Sequence, residues 1–231
     1  MRAMILAAGL GERMRPLTAK LPKPLLKVGE QSLIEHQVSK LVRAGITDLV
    51  INHFYLGDMI EQTLGNGSRY DAAIRYSREP IRLDTAGGII KALPALVEDC
   101  FIVVNADIWT DYDFASLAPV DGETCLAHLV LIPDAAHNPG GDFHLAEDGT
   151  VRVESDGGDG KFTFAGISVM HRKLFAGYPI QPLSVVTLLK AAMAKGLVTG
   201  EIYDGVWIDV GTPERLQDVI ALETGAAGET S

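Results

Sequence analysis

A doubly wound, mostly parallel α/β sheet is the fold class this sequence predicts, on three observations. Short apolar runs alternate with helical patterns from the N-terminus to Asp107. The runs Ala3–Gly9 and Cys100–Asp107 are too continuously apolar for strands with one wet face, so both faces of the sheet should be covered. Gly9 and Gly11 follow the first run directly, at the carboxyl end of a strand, where open α/β sheets bind their ligands.

The elements can be placed in order. AMILAAG is a strand ending at Gly9. SLIEHQVSKLVRAG is a helix: Ser32 and Glu35 have capping-box spacing, Gly45 stands at its end, and Ile34, Val38, Leu41 and Val42 share one face. DLVIN is a strand, YLGDMIEQTLG a helix and AAIRYS a strand; GGIIKALPAL opens a helix, and CFIVVNAD is a fourth strand. The rhythm then changes. ETCLAHLVLI is a long strand, DFHLAEDGTVRVE a hairpin about Asp148-Gly149, and FTFAGISVM another strand. LSVVTLLKAAMAKG is a helix, VWIDV a short strand, and TPERLQDVIALE a last helix with Pro213 in its first turn, before a frayed tail. These residues predict one domain, 1–231, with a β-rich insertion in its second half; no linker or repeat divides it.

With 231 residues, 47% of them apolar, the chain can fill a sizeable core. No stretch is apolar for long enough to span a membrane, and the run after Arg2 is too short for a secretory signal, which predicts a cytoplasmic protein. Cys100 and Cys125 lack metal-ligand spacing and are expected to be free thiols. A formal net charge of −10 argues against nucleic acid as a partner. Yet the stretch up to Lys27 holds Arg2, Arg13, Arg15, Lys20, Lys23 and Lys27 against the single acid Glu12. That local surplus is equally compatible with a confined anion site and with a solvated basic loop.

The glycines narrow the choice. Glycine lets backbone N–H groups approach a ligand without a Cβ in the way, and successive amides form a concavity suited to phosphate. No Gly-Lys-Ser/Thr follows, so this is no P-loop, and Met14 stands at the third glycine position of a dinucleotide fingerprint. Two glycines alone are as compatible with a plain tight turn. Pro22-Lys23-Pro24 adds a lysine between two backbone restraints, or else a proline-rich surface loop.

Read as one stretch, Leu6-Ala7-Ala8-Gly9-Leu10-Gly11-Glu12-Arg13-Met14-Arg15-Pro16-Leu17-Thr18, then Pro22-Lys23-Pro24-Leu25, resembles the signature of the sugar-1-phosphate nucleotidyltransferases; Glu12 replaces a common threonine or serine. Val103–Asp107 resembles the strand end carrying that family's metal aspartate, and Trp207–Leu216 the segment with the second, Asp209. Ala86–Ile89, Trp109–Phe114, Gly141–Phe143 and Thr163–Val169 are most similar to the bacterial N-acetylmuramate-1-phosphate uridylyltransferases, with Ala86 in place of a glycine.

The resemblance implies a Rossmann-like nucleotide-diphospho-sugar transferase fold, with a nucleotide-binding half at 1–115 and a sugar-binding half at 116–225. It implies transfer of a nucleotidyl group from an NTP, preferably UTP, to a sugar 1-phosphate, preferably N-acetylmuramate 1-phosphate, as in peptidoglycan recycling. GTP with mannose 1-phosphate and dTTP with glucose 1-phosphate are the alternative pairs, and a non-catalytic nucleotide-binding regulator is the alternative class. Arg13, Lys23 and Asp107 would be catalytic. Ala8, Gly9, Gly11, Glu12, Arg13, Lys23, Gly88 and Asn105 would bind the nucleotide; Gly141, Glu154 and Gly166 would bind the sugar. Asp107 and Asp209 would hold Mg²⁺, in a monomer or homodimer. Relatives carry Glu-Lys-Pro where this chain has Glu154-Ser155-Asp156, so whether Lys161 supplies the missing lysine stays open. Arg15 is equally a second phosphate contact or an ion-pair partner. A phosphate monoester, with its second pKa near ~6, is already a dianionic nucleophile, which fits the absence of histidine from these motifs.

Overall fold

The structure, a computed structural model, describes residues 1–133, 135, 138–154 and 160–225. In chain order the elements are β1 (Arg2–Leu6), β2 (Lys27–Val28), β3 (Gln31–Ser32), α1 (Leu33–Arg43), β4 (Asp48–His53), α2 (Gly57–Leu64), β5 (Ala73–Arg78), α3 (Asp84–Leu96), β6 (Cys100–Asn105) and β7 (Ile108–Thr110). They continue with β8 (Ala127–Ile132), β9 (His144–Leu145), β10 (Val151–Arg152), β11 (Thr163–His171), α4 (Val185–Met193), β12 (Val198–Ile202), β13 (Trp207–Asp209) and α5 (Pro213–Glu223).

A seven-stranded sheet runs β12-β8-β11-β6-β1-β4-β5. β1, β4, β5 and β6 are mutually parallel, β12 is parallel to β8, and β11 alone is reversed against both its neighbours. The continuous apolar runs are explained by cores on both faces. Successive side chains of a strand point to opposite faces. Thus Ile5, Ile102 and Val104 join Ile34, Val38 and Leu41 of α1 on one side. Met4, Phe101 and Val103 join Ile89 of α3 and Leu188 of α4 on the other.

α1 begins as its punctuation predicts: the Ser32 N–H donates to Glu35 Oε2 at 2.7 Å, and Gly45, at φ +78°, follows its last turn. Other boundaries moved for tertiary reasons. α3 starts at Asp84, ahead of Gly87, because the Ala86 N–H donates to the Leu183 carbonyl at 2.8 Å. β8 starts at Ala127, because the Asp121 carboxylate draws the N–H groups of Glu123, Thr124 and Cys125 into a turn. The second-half strands are not an insertion beside the first sheet. β8, β11 and β12 extend it, while the two-residue strands β9 and β10 stand apart as a hairpin and β13 pairs with β7 in a separate ribbon. β7 and β12 had no sequence reading. β12 runs unbroken through Gly200, whose bare Cα accommodates Val151: a Cβ there would lie 2.7 Å from Val151 Cγ2.

Candidate active site

β1, β4 and β6 end in register, Leu6 opposite both Asn52 and Asn105. Beyond these ends opens a cavity of about 210 Å³, lined by Ala7, Ala8, Gly9, Lys23, Asn52, Asn105 and Asp107, with Arg82, Asp84 and Thr85 at its rim. The two glycines of the first loop differ in role. A Cβ on Gly9 would meet nothing within 4 Å, so its backbone faces open space. Gly11, at φ +64°, makes the turn into Glu12–Met14, and its carbonyl accepts from Thr18 Oγ1 at 2.7 Å. The turn is therefore built at Gly11, and access lies at Gly9.

Pro22-Lys23-Pro24 is no surface loop. All three residues are buried, Lys23 is only 7% exposed, and its Nζ donates to Asp107 Oδ2 at 2.5 Å. Removing an ammonium from water is tolerable here because a carboxylate meets it directly.

Asp209 arrives next to Asp107 along the chain backbone through a separate two-stranded ribbon, while its side chain lines a neighbouring cavity of about 410 Å³ with Arg215 and Asp218. β13 pairs antiparallel with β7, putting Asp209 opposite Ile108, and the Val210 N–H donates to the Asp107 carbonyl at 2.9 Å. The Asp209 carboxylate pairs with Arg215 of α5 at 2.8 Å, while Thr212 caps that helix. Gly211 sits between them. A Cβ there would lie 2.5 Å from Arg215 Nη2, 2.8 Å from Asp209 Oδ2 and 3.1 Å from Arg13 Nη2, so Arg13, Asp209 and Arg215 converge on one point.

Each aspartate thus has one oxygen on a cation and the other unpartnered among the described residues. No cluster of three or more His, Cys, Asp or Glu side chains that could hold a metal occurs among those residues. A two-carboxylate donor set suits Mg²⁺, which takes one or two carboxylates and fills its remaining positions with water and phosphate oxygens.

The other expected residues are placed unevenly. Gly166, at φ +73°, lies where β11 breaks register, and a Cβ on it would fall 2.4 Å from Asn105 Nδ2, so these two belong to one wall. Gly141, at φ +57°, packs on Lys161, whose Cβ a side chain there would strike at 2.4 Å. Glu154 is exposed, and Ser155 and Asp156 lie outside the described residues. Glu12 and Arg13 are exposed on the first loop. Arg15 is exposed without an ion pair among the described residues, so the salt-bridge alternative is not realised. Gly88 does not line the cavity. It is buried within α3, where a Cβ would lie 2.6 Å from Glu79 Oε1 and 2.8 Å from Asn52 Nδ2.

That contact exposes a network the sequence did not suggest. Asn52 Oδ1 accepts the Ala7 N–H at 3.0 Å, Asn52 Nδ2 donates to Glu79 Oε1 at 2.7 Å, and Glu79 Oε2 accepts the Leu83 N–H at 3.0 Å. It ties the first loop to the start of α3, and its one visible signal was a polar Asn closing the apolar run DLVIN.

The family model described as nucleotidyl transferase matches residues 2–134. This chain belongs to that family. The resemblance of its opening motif to sugar-1-phosphate nucleotidyltransferases is borne out by full-length relatives. This nucleotidyltransferase is 47% identical to the N-acetylmuramate alpha-1-phosphate uridylyltransferase of Neisseria meningitidis serogroup B, covering 96% of the chain and 98% of that protein. It is 33% identical to a mannose-1-phosphate guanyltransferase of Aspergillus oryzae, covering 93% of the chain but 62% of that protein. The fold of the nucleotidyltransferase is also that of HddC from Yersinia pseudotuberculosis, with a TM-score of 0.78 and 19% identity over 96% of this chain and 98% of that one. Among the described residues, no helix of the nucleotidyltransferase is long and apolar enough to cross a membrane.

Proposed function

We propose that this enzyme transfers the uridylyl group of UTP to N-acetylmuramate 1-phosphate, giving a UDP-sugar and pyrophosphate, with Mg²⁺ held by Asp107 and Asp209. The reading of the chemistry is carried by one observation: Asp107 meets the buried Lys23 on the cavity that Gly9 lines, and a hydrogen bond from Val210 to the Asp107 carbonyl brings the sequence-distant segment of Asp209 beside it. The choice of substrates is supported by the 47% identity to the Neisseria uridylyltransferase, nearly end to end.

The acceptor phosphate attacks the α-phosphorus in line. The new P–O bond forms as the bond to the bridging oxygen of the β-phosphate breaks, and pyrophosphate carries that electron pair away. No protein base is required, because the nucleophile is already ionised. Bound Mg²⁺ would neutralise phosphate charge as it builds. Lys23, fixed by Asp107, presents its ammonium to the α-phosphate; Arg13 holds the β- and γ-phosphates that leave. The open amides at Ala8 and Gly9 receive the nucleotide, and Asn105 and Gly166 form the wall between ribose and acceptor sugar. In this reading residues 1–115 hold the nucleotide and 116–225 the sugar, within one domain. Peptidoglycan recycling, an intracellular setting, is where such an activity belongs.

GTP with mannose 1-phosphate is the second reading, favoured by the similarity to the Aspergillus guanyltransferase. Pyrophosphate release measured for UTP, GTP and dTTP against N-acetylmuramate, mannose and glucose 1-phosphates separates the two. The expected outcome is a kcat/KM at least about tenfold higher for UTP with N-acetylmuramate 1-phosphate, a difference of about 1.4 kcal/mol in transition-state stabilisation. A higher value for GTP with mannose 1-phosphate would replace the first reading by the second. No turnover of any pair, with UTP still bound, would favour the non-catalytic regulator.

A further inference from the structure

Of the charged side chains lining the cavity beyond β1, β4 and β6, the reaction accounts for Lys23 and Asp107. Arg82 and Asp84 remain. Both are exposed, and neither forms an ion pair among the described residues. Arg82 makes no hydrogen bond there, while Asp84 Oδ1 accepts the Thr85 N–H at 2.7 Å and Oδ2 has no partner among those residues. The two stand away from the phosphate end. Along the sheet order β6-β1-β4-β5, residues 105–107 close β6, 7–9 leave β1, Asn52 stands near the end of β4, and 82–85 follow β5. A nucleoside triphosphate in this cavity with its α-phosphate at Lys23 therefore carries its base toward Arg82 and Asp84. Gly88, expected to bind the nucleotide, is buried within α3, so no side chain has yet been given to the base.

An exposed carboxylate repels the triphosphate and can only accept hydrogen bonds, so its place in a nucleotide cavity is beside a donor on a neutral group. Uracil offers one ring donor, N3–H, set between two carbonyl oxygens. We propose that Asp84 and Arg82 determine the choice of base: the Asp84 carboxylate accepts the ring N–H, and the Arg82 guanidinium donates to a carbonyl beside it. This rests on the nucleotidyl-transfer reading above and on its placing of the nucleotide at residues 1–115. Guanine sets N1–H beside a carbonyl in the same way, whereas cytosine has a lone pair at N3 that faces the carboxylate. The pair thus selects keto bases over cytosine and does not separate UTP from GTP. The segment is anchored on both sides of Asp84. The Leu83 N–H donates to buried Glu79 Oε2 at 3.0 Å, and the Ala86 N–H to the Leu183 carbonyl at 2.8 Å. Between these anchors Asp84 adopts φ +59°, a left-handed conformation that Asp, Asn and Gly accept more readily than other residues.

The test uses wild type, Asp84→Gly, Asp84→Asn and Arg82→Gln. Initial rates are measured at saturating N-acetylmuramate 1-phosphate with UTP, CTP, 2′-deoxy-UTP and 3-methyl-UTP, whose N3 carries no proton. Calorimetry measures the binding of UTP and 3-methyl-UTP to the same proteins. Wild type should favour UTP over CTP and over 3-methyl-UTP by about 10²-fold or more in kcat/KM. Asp84→Gly suits the left-handed backbone and should fold; it should lose about tenfold or more with UTP, chiefly through KM, and little with 3-methyl-UTP. Asp84→Asn should narrow the preference for UTP over CTP, since its amide can donate to cytosine N3. Arg82→Gln should raise the KM for UTP about tenfold while the KM for the acceptor moves less than about twofold. Equal losses with UTP and 3-methyl-UTP in Asp84→Gly, a selective change with 2′-deoxy-UTP that moves the contact to the ribose, or an unaltered KM for UTP in Arg82→Gln would overturn the assignment. A wild type that transfers nothing, yet binds UTP in preference to 3-methyl-UTP through Asp84, overturns the catalytic reading and leaves the base contact standing.

Discussion

Lys23 and Gly211 show how much the site depends on single residues. Lys23 is buried against Asp107, so Lys23→Ala leaves Asp107 without its counter-charge and, on the proposed reading, removes the cation at the α-phosphate. The expected loss in kcat is on the order of 10²-fold or more, read from pyrophosphate release, with the thermal midpoint followed to separate folding from chemistry. Asp107→Asn keeps the shape but removes the charge; it should lower kcat comparably and raise the Mg²⁺ concentration needed for half-maximal rate. Turnover matching wild type in folded Asp107→Asn would end its assignment to the metal. Gly211→Ala tests the convergence of Arg13, Asp209 and Arg215. The added methyl has no room at 2.5 Å from Arg215, so one of the three must move, and kcat should fall while the fold persists. The opening motif made Lys23 and Arg13 legible in the sequence, whereas Arg215 was not. Its spacing from Asp209 is that of an ordinary helix residue, and only the β13–α5 turn brings the two together.

At the scale of elements, the ribbon of β7 and β13 is the part most sensitive to its support. It carries Asp209 and begins directly after Asp107, yet lies outside the main sheet, so one edge of β7 lacks a strand. α1 supplies the missing partners. Gln37 Nε2 donates to the Ile108 carbonyl at 2.6 Å, and Lys40 Nζ donates to the Thr110 carbonyl while lying 4.3 Å from the centre of the Trp109 ring. Burial pushes the Lys40 ammonium below its usual range, partly offset by Glu223 and Asp111. Gln37→Met should leave the Ile108 carbonyl unpaired in the core. The expected cost is about 1–3 kcal/mol of stability from denaturant melts, with kcat affected more than the KM for UTP, because β7 begins at the residue after Asp107. An unchanged kcat would show that β7 needs no such clamp. The apolar stripe and capping box of α1 were readable from sequence. That the same helix holds the ribbon through Gln37 and Lys40 was not, since a polar side chain on a helix carries no mark in the sequence of the distant carbonyl it will meet.

For the whole molecule, stability rests on cores covering both faces of one sheet, and on a few charged groups at its periphery. Phe101 is fully buried and stacks on Phe175 with ring centroids 6.1 Å apart, so Phe101→Ala should cost about 3–5 kcal/mol, measured by equilibrium unfolding. Acid stability has a nameable contributor in Glu35. Burial would raise its pKa, but the Ser32 hydroxyl and N–H, the Tyr70 hydroxyl and Lys27 together outweigh that and hold it down at about 2, below the ordinary value of 4.5. A carboxylate depressed in the folded state stabilises fully above its unfolded pKa, and that contribution is lost as pH falls through the folded one. Wild type should therefore lose thermal stability between pH 4.5 and about 2, and Glu35→Gln should flatten that slope while starting from a lower midpoint. By itself the sequence determined the doubly wound class, the order of its first strands and helices, and the cationic glycine loop, because apolar period, caps and turn residues act locally along the chain. Tertiary structure alone decided that the second-half strands extend the same sheet, that β13 carries Asp209 to Asp107, and that Asn52 and Glu79 lock the first loop to α3. Those arrangements depend on contacts between segments far apart in the chain, which no local pattern of residues encodes.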